Sequence, residues 1–403
     1  MTFAVAAIPL MLCAGVAVDY SRLVRAKATI DGAADSAVLA ATSSSATNLN
    51  AEQARKAGQA LFDTLSVRAA PGQTLDVDLQ VKDQGLTRTA TLSYTLRMQT
   101  TLASVVGMSV MSASGFATSF QSRAPYIDFY LLLDNSPSMG VGATQADIAA
   151  MVANTPDQCA FACHDTSNSS SYYDLAKKLG VTMRIDVLRT ATQNLMDTAT
   201  SMTATPNQFR VGVYSFGVDA SNAKLTEVAP LTPILSNAKA KAGSIDLMTV
   251  PYQNYQNDMH TNLSALIPAA NKEISDPGDG SSPSGPQKVL FLVSDGVADE
   301  YNPSGCTQPL AGGGRCQQPL NPALCDAVKA RGIRVAVLYT TYLPLPTNGW
   351  YTTWLQPFAG SIGRKMQDCA SPGLYFEVSP SQGVSEAMAA LFRQAVMTSR
   401  LVK

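Results

Sequence analysis

The stretch IDFYLLLDNSPSMG, residues 127–140, decides how this chain is read. It is apolar almost throughout until it stops at Asp134. Strands buried on both faces of a sheet have this near-continuous apolar character. Two serines then follow at alternate positions, giving Asp134-x-Ser136-x-Ser138. Three small oxygen-bearing side chains so close together have two readings. They cap a helix that follows, or they offer oxygen ligands to a hard cation.

Working outward, the same pattern recurs toward the C-terminus. FRVGVYSF (209–216), KVLFLVSD (288–295) and IRVAVLYT (333–340) read as strands, with GLYFEV (373–378) as a further one. Helical patterns lie between them, around Arg184–Thr200, Asn262–Ile274, Pro322–Ala330 and Gln382–Val396. Alternating strands and helices predict an α/β fold, Rossmann-like, with a mostly parallel sheet covered on both faces. Ligands of such sheets gather beyond the carboxyl ends of the strands. Three oxygen-rich loops fall at that edge. One carries Asp134, Ser136 and Ser138. Another carries Thr261 ahead of a helix, and the last carries Asp295 in Ser294-Asp295-Gly296. Two carboxylates and three hydroxyls suit Mg²⁺ or Mn²⁺ and not Zn²⁺. Hydroxyls fill only part of the shell, which leaves a position for an acidic group from a partner.

Residues 1–123 read as a separate module. Thr2–Val18 carries no charge, and at about 1.5 Å per residue it covers about 25 Å as a helix. A bilayer core needs about 20 residues, so the run is short on its own. A cleaved signal peptide competes with an anchor, since Gly15-Val16-Ala17 offers small residues. The continuation favours the anchor. Tyr20, Leu23, Val24, Ile30, Ala34, Ala37, Val38 and Ala41 recur at three- and four-residue steps, a helical stripe over about 19–45. Arg22, Arg25 and Lys27 follow the apolar run, and the positive-inside rule places that side in the cytoplasm. The cysteines point to the opposite side. A basic N-terminal extension lost to a misassigned start would reconcile the two. Ala51–Leu65 reads as a second helix. TLDVDLQVKD and TRTATLSYTLRMQT alternate as half-exposed strands about a turn at Gln84-Gly85, and SVMSASGFATSF adds a strand. No catalytic cluster is apparent in this module, and a structural or assembly role is the expectation.

Composition narrows the classes. With 29 basic and 30 acidic residues, net −1, the chain gives nucleic-acid binding no electrostatic support. Of seven cysteines, Cys13 lies in the apolar run and six lie beyond residue 150. An even number there suggests disulfides in an oxidising compartment. The pairing expected is Cys159–Cys163, Cys306–Cys316 and Cys325–Cys369. CAFACHD (159–165) has the wrong spacing for haem attachment. Cys159, Cys163 and His164 lack a fourth ligand for zinc. His260, beside Thr261, is a loop residue or a supporting group. No nucleophile elbow and no phosphate-binding loop is present. Trp350 and Trp354 form an exposed patch or a small satellite core. Insertions are expected at about 140–180 and 300–320.

These residues carry two family resemblances. Asp134-x-Ser136-x-Ser138, Thr261 and Asp295 resemble the metal-ion-dependent adhesion site of von Willebrand factor A domains. The resemblance implies that the serines and threonine ligate metal, that the aspartates complete the shell, and that a partner's carboxylate supplies the last ligand. Pro137, where glycine is common, and Asn135 depart from that pattern. Residues 3–45, with Val18-Asp19-Tyr20-Ser21-Arg22 after an apolar helix, resemble TadE/TadG-like Flp pilus-assembly proteins. Together the resemblances cover residues 3–45 and 127–398. They imply a single-pass bacterial inner-membrane protein with its bulk in the periplasm or outside the cell. It would bind a protein partner and pilus-assembly components, in pilus assembly or tight adherence. A stand-alone adhesin is the alternative. A metal-assisted hydrolase is less favoured, because no general base other than His260 accompanies the motif, and no enzymatic activity is expected.

Overall fold

The computed structural model describes residues 2–46, 49–66, 73–168, 170–381 and 383–399. The chain divides into two units, Met1–Ala124 and Pro125–Lys403.

The first unit is built on one long helix, α1 (Thr2–Thr42), unbroken for 41 residues. The apolar run and the amphipathic stripe are one rod. No helix among the described residues is long and apolar enough to cross a membrane. The membrane helix expected over about 2–18 is therefore not shown by the structure. The physical reason is length: the charge-free run falls short of about 20 residues, and Asp19 follows it directly. Helix α2 (Ala51–Ser66) packs along α1. The alanine-rich segment makes this approach possible. Ala33, Ala34, Ala37 and Ala41 are buried, and a Cβ on Gly58 of α2 would stand 2.8 Å from the Ala37 carbonyl oxygen.

Three antiparallel strands complete this unit, β1 (Thr74–Gln84), β2 (Thr87–Gln99) and β3 (Val110–Ser122), in the order β1-β2-β3. Gln84 faces Thr87, so the hairpin turns through Gly85 and Leu86, with Gly85 at φ +55°. Alternate residues of β2, among them Leu92, Tyr94 and Leu96, enter a core shared with α1. Asp19 pins the far end. Its Oδ2 accepts the N–H groups of Thr101, Leu102 and Ala103 at 3.0, 2.8 and 2.8 Å. At the other end of α1 the Thr42 and Ser119 hydroxyls lie 2.9 Å apart. Strand β3 therefore rises alongside α1 in the same direction.

The second unit runs β4 (Ile127–Leu133), α3 (Gln145–Asn154), β5 (His164–Asp165), α4 (Tyr172–Leu179), α5 (Arg184–Met202), β6 (Phe209–Ser215), β7 (Thr226–Thr232) and α6 (Leu235–Ala242). It continues with β8 (Thr249–Val250), α7 (Leu263–Glu273), β9 (Gln287–Ser294), β10 (Val297–Tyr301), β11 (Arg315–Pro319) and α8 (Ala323–Lys329). It ends with β12 (Arg334–Thr340), α9 (Gln356–Cys369), β13 (Tyr375–Val378) and α10 (Val384–Thr398). The main sheet has the order β13-β12-β9-β4-β6-β7. All neighbours in it are parallel except β7, which runs antiparallel at the edge.

Strand β4 is buried along its whole length. Ile127, Phe129, Leu131 and Leu133 face the core that holds Leu188 of α5 and Phe392 of α10. Tyr130 and Leu132 face the opposite core, with Ile267 of α7 and Ile362 of α9. Both faces of the sheet are thus covered, as the apolar runs predict. At the start of β4, Asp128 is buried. It accepts Lys288 Nζ at 2.6 Å and the Arg210 Nε and Nη2 at 2.6 and 2.7 Å.

Two of the three expected disulfides form. Cys306–Cys316 closes the β10–β11 hairpin, and Cys325–Cys369 ties α8 to the end of α9. Cys159 and Cys163 remain thiols, against expectation. The Cys159 sulfur is engaged in its own turn instead, where it accepts the Phe161 N–H at 3.4 Å.

Candidate metal centre

The order of the sheet strands reverses at β4. From β4 the chain builds β6 and β7 on one side, then returns to place β9, β12 and β13 on the other. Open α/β sheets bind ligands at such a reversal, in the crevice beyond the strand ends. Strands β4 and β9 are neighbours there, and the Asp134 N–H donates to the Val293 carbonyl at 3.0 Å. Asp134 follows β4 and Asp295 follows β9. The two carboxylates, far apart in sequence, are thus brought close enough for the charge of one to act on the other.

Asp134 is fully buried. Its Oδ1 accepts the Ser136 N–H at 3.0 Å and the Ser136 hydroxyl at 2.6 Å. Its Oδ2 accepts the Ser294 hydroxyl at 2.6 Å. The Ser136 and Ser138 oxygens are 3.2 Å apart, and Ser138 works against the burial that raises the pKa of Asp295. Asp295 Oδ1 accepts the Val297 N–H at 3.2 Å. Its Oδ2 is buried without a hydrogen bond. Gly296 supplies the tight turn that brings that N–H back, at φ +74°, where a Cβ would strike Ile362 and Met366. Burial holds both carboxyls above the usual carboxylate range, and the charge of Asp295 pushes Asp134 further.

Three of the five sequence-predicted residues, Asp134, Ser136 and Ser138, therefore form one hydrogen-bonded cluster, and Asp295 lies close enough for its charge to act on Asp134. Thr261 stands slightly apart. It pairs with Asp299 through two backbone bonds of 3.0 Å just before α7. No hydrogen bond joins its hydroxyl to the other four among the described residues. Thr261 and Ser138 line the same cavity, of about 260 Å³. Phe161 and Cys163 from the segment after α3, Arg315 from the hairpin, and Tyr342 and Trp350 wall it further. The hairpin wall is rigidly held. Arg315 binds Asp299 through Nε and Nη2 at 2.8 and 2.6 Å and lies 4.2 Å over the Trp350 ring. Trp350 in turn donates to Gln317 at 2.8 Å. The tryptophan is thus a wall of the cavity, beside Trp354 at 5.8 Å.

The donor set fits a hard divalent cation. Two buried carboxylates, one of them raised further by the charge of the other, an unbonded carboxylate oxygen and three nearby hydroxyls are what such an ion satisfies. Among the described residues no three His, Cys, Asp or Glu side chains gather around a metal position. A cation here would rest on hydroxyls as much as on carboxylates. His260 takes no part. It is buried beside Tyr255, with neither ring nitrogen hydrogen-bonded, and burial lowers its pKa.

Four residues at the site were given no role from sequence. Ser294 bonds Asp134 and could have been read from its place beside Asp295. Asn135, noted only as a departure, fastens the loop. Its side chain donates to Gly217 O at 2.7 Å and accepts the Phe216 N–H at 3.0 Å. Pro137 begins a single 3₁₀ turn, Pro137–Gly140, where no N–H is needed. The fourth is Arg184, the first residue of α5. Its Nη1 lies 3.6 Å from Asp295 Oδ2, and one arginine at a helix start carries no sequence signal.

Residues 1–52 match the family model described as "Putative Flp pilus-assembly TadE/G-like". No curated protein matches the chain. Similar solved structures include proximal thread matrix protein 1 from the mussel byssus, at 12% identity and TM-score 0.35, covering 68% of this chain and 46% of that one. The pilus adhesin SpaC from Lactobacillus rhamnosus GG is similar at 13% identity and TM-score 0.38, with 82% and 35% covered. The vWF domain of the type V pili tip protein Mfa5 from Porphyromonas gingivalis stands at 10% identity and TM-score 0.36, with 69% and 96% covered. The chain spans less than half the length of the first two.

Proposed function

We propose that this chain is an extracytoplasmic, membrane-associated component of Flp pilus assembly or tight adherence. Its second unit would be a von Willebrand factor A-type domain that grips a protein partner through a bound Mg²⁺ or Mn²⁺. Asp134, Ser136, Ser138, Thr261 and Asp295 would hold the ion. The ion, when bound, supplies a coordination position for an acidic side chain of the partner. The chain's own residues do the rest. Ser294 and the Ser136 N–H hold Asp134 in place, and Asn135 fixes the loop. The cavity beside Ser138 and Thr261 admits one partner side chain, since its volume is below the roughly 300–1,000 Å³ of small-molecule sites.

The observation that carries this reading is the cluster at the strand reversal, with Asp295 Oδ2 buried and unbonded. The likeness of residues 1–52 to pilus-assembly proteins supports the setting. The reading implies binding and no reaction. The test is capture of pilus components by the full chain in Mg²⁺, in EDTA, and by Asp134→Ala in Mg²⁺. Capture only by wild type in Mg²⁺ is the expected result. Equal capture in all three would remove the cation from the account.

A further inference from the structure

Arg184 is buried to 2% exposure, and none of its three guanidinium nitrogens has a hydrogen bond. Buried arginines ordinarily satisfy their planar fork with carboxylate or carbonyl oxygens. This one meets Asp295 only as a charge, with Nη1 3.6 Å from Oδ2. Its other neighbour is the Tyr342 ring, 4.7 Å away. Arg184 also opens α5, where the helix dipole already presents positive charge. Nothing in the helix or the core accounts for a cation here. Among the described residues the group that does is Asp295, whose charge also reaches a second buried carboxylate, Asp134.

We propose that Arg184 is a resident counter-ion that competes with the divalent cation for Asp295, so that it holds the empty site together and sets the concentration at which the site loads. This inference rests on the cation-binding reading of the cluster. Without metal, Arg184 offsets one of two buried negative charges. A cation entering beside Asp295 meets a fixed like charge a few ångströms off, in surroundings that screen it poorly. The loose 3.6 Å separation leaves Oδ2 free to accept the ion. A bidentate pair would not. Arg184 does not touch a partner, because its side chain is only 1% exposed. It is a positioning residue that acts through Asp295.

The experiment measures Mn²⁺ affinity of the full chain by electron paramagnetic resonance. It also follows thermal unfolding in EDTA and in saturating Mn²⁺. Arg184→Met is expected to bind Mn²⁺ about tenfold or more tighter than wild type. It should melt below wild type in EDTA and recover in Mn²⁺. Arg184→Lys, which keeps the charge, is expected to bind close to wild type. Equal affinity in wild type and Arg184→Met overturns the competition and leaves the metal reading intact. Tightening by Arg184→Lys as large as by Arg184→Met also overturns it, since charge would not be the cause. Binding by neither wild type nor Arg184→Met overturns the metal reading, and this inference with it. A second measurement does not need the methionine variant to fold. The Arg184 Nε–H resonance of wild type, assigned by its loss in Arg184→Lys, should move as Mg²⁺ is added. A resonance that stays fixed at saturation overturns the proposal.

Discussion

At the scale of single residues, the chain places charge where only partners make it tolerable. Asp128 is the clearest case, buried between Lys288 and Arg210. Asp128→Ala would leave Lys288 buried without its carboxylate, a loss of about 3–5 kcal/mol, measurable by urea denaturation of the full chain. Asp19 is a second case. The Ala103 N–H has the largest hold on its carboxyl, and Leu102, Thr101 and Arg22 add to it against the opposing effect of burial, so its pKa lies below the ordinary value. A depressed carboxyl pKa stabilises the fold above the unfolded value, near 4 on a rough scale. That contribution is lost as pH falls through the folded value. Asp19→Asn should therefore flatten the acid side of the stability curve, read as thermal midpoints below about pH 5. The cysteines provide a sharper test. Burial raises the Cys159 thiol and pushes Cys163 up to about 12, while Cys13 is exposed. Three thiols should titrate in the denatured, unreduced chain, and in the native chain Cys13 should be alkylated first. A single thiol on denaturation would restore the Cys159–Cys163 bridge expected from sequence. That bridge was a reading from proximity alone, and four residues of spacing do not say which way two thiols turn.

At the scale of elements, the sequence was legible wherever burial was complete. The runs at 127–134, 288–295 and 333–340 gave β4, β9 and β12 because a central parallel strand has no polar face to confuse the pattern. Strand β7 was not read. Its segment, TEVAPLT, is half exposed and holds Pro230, which an edge position tolerates. Helix α9 was also not read, although Phe358, Ile362, Met366 and Cys369 mark its buried face. Gly360 and Gly363 within it weaken the helical signal. The Cys325–Cys369 bridge joins α8 and α9 across 44 residues. Replacing both cysteines by serine should cost about 3–5 kcal/mol, as for loops of this length. In the first unit, Gly58→Val should separate α1 from α2 and lower the thermal midpoint, by about 1–3 kcal/mol in stability. A neutral result would mean that the helices do not meet at the alanine stripe.

At the scale of the whole molecule, each unit carries its own core. Both disulfides lie in the second. Calorimetry should therefore show two transitions, with reductant shifting only one. The candidate site follows the same logic as the fold. Asp134 and Asp295 could be found in sequence because each ends an apolar strand. Arg184 could not, since its role arises only when α5 is laid against β9's end. The first unit also has a mechanical reading. Asp19 ties the connection between β2 and β3 to the first half of α1, and Ser119 of β3 meets Thr42 at the far end of that helix. A pull between the beginning of α1 and Ser122, the point from which the chain leads into the second unit, runs along the strands. The β2–β3 ladder, paired from Thr87–Ser122 to Gln99–Val110, lies across that line of force. Its bonds would have to shear together instead of unzipping in turn, which makes this small unit a tether suited to bearing tension.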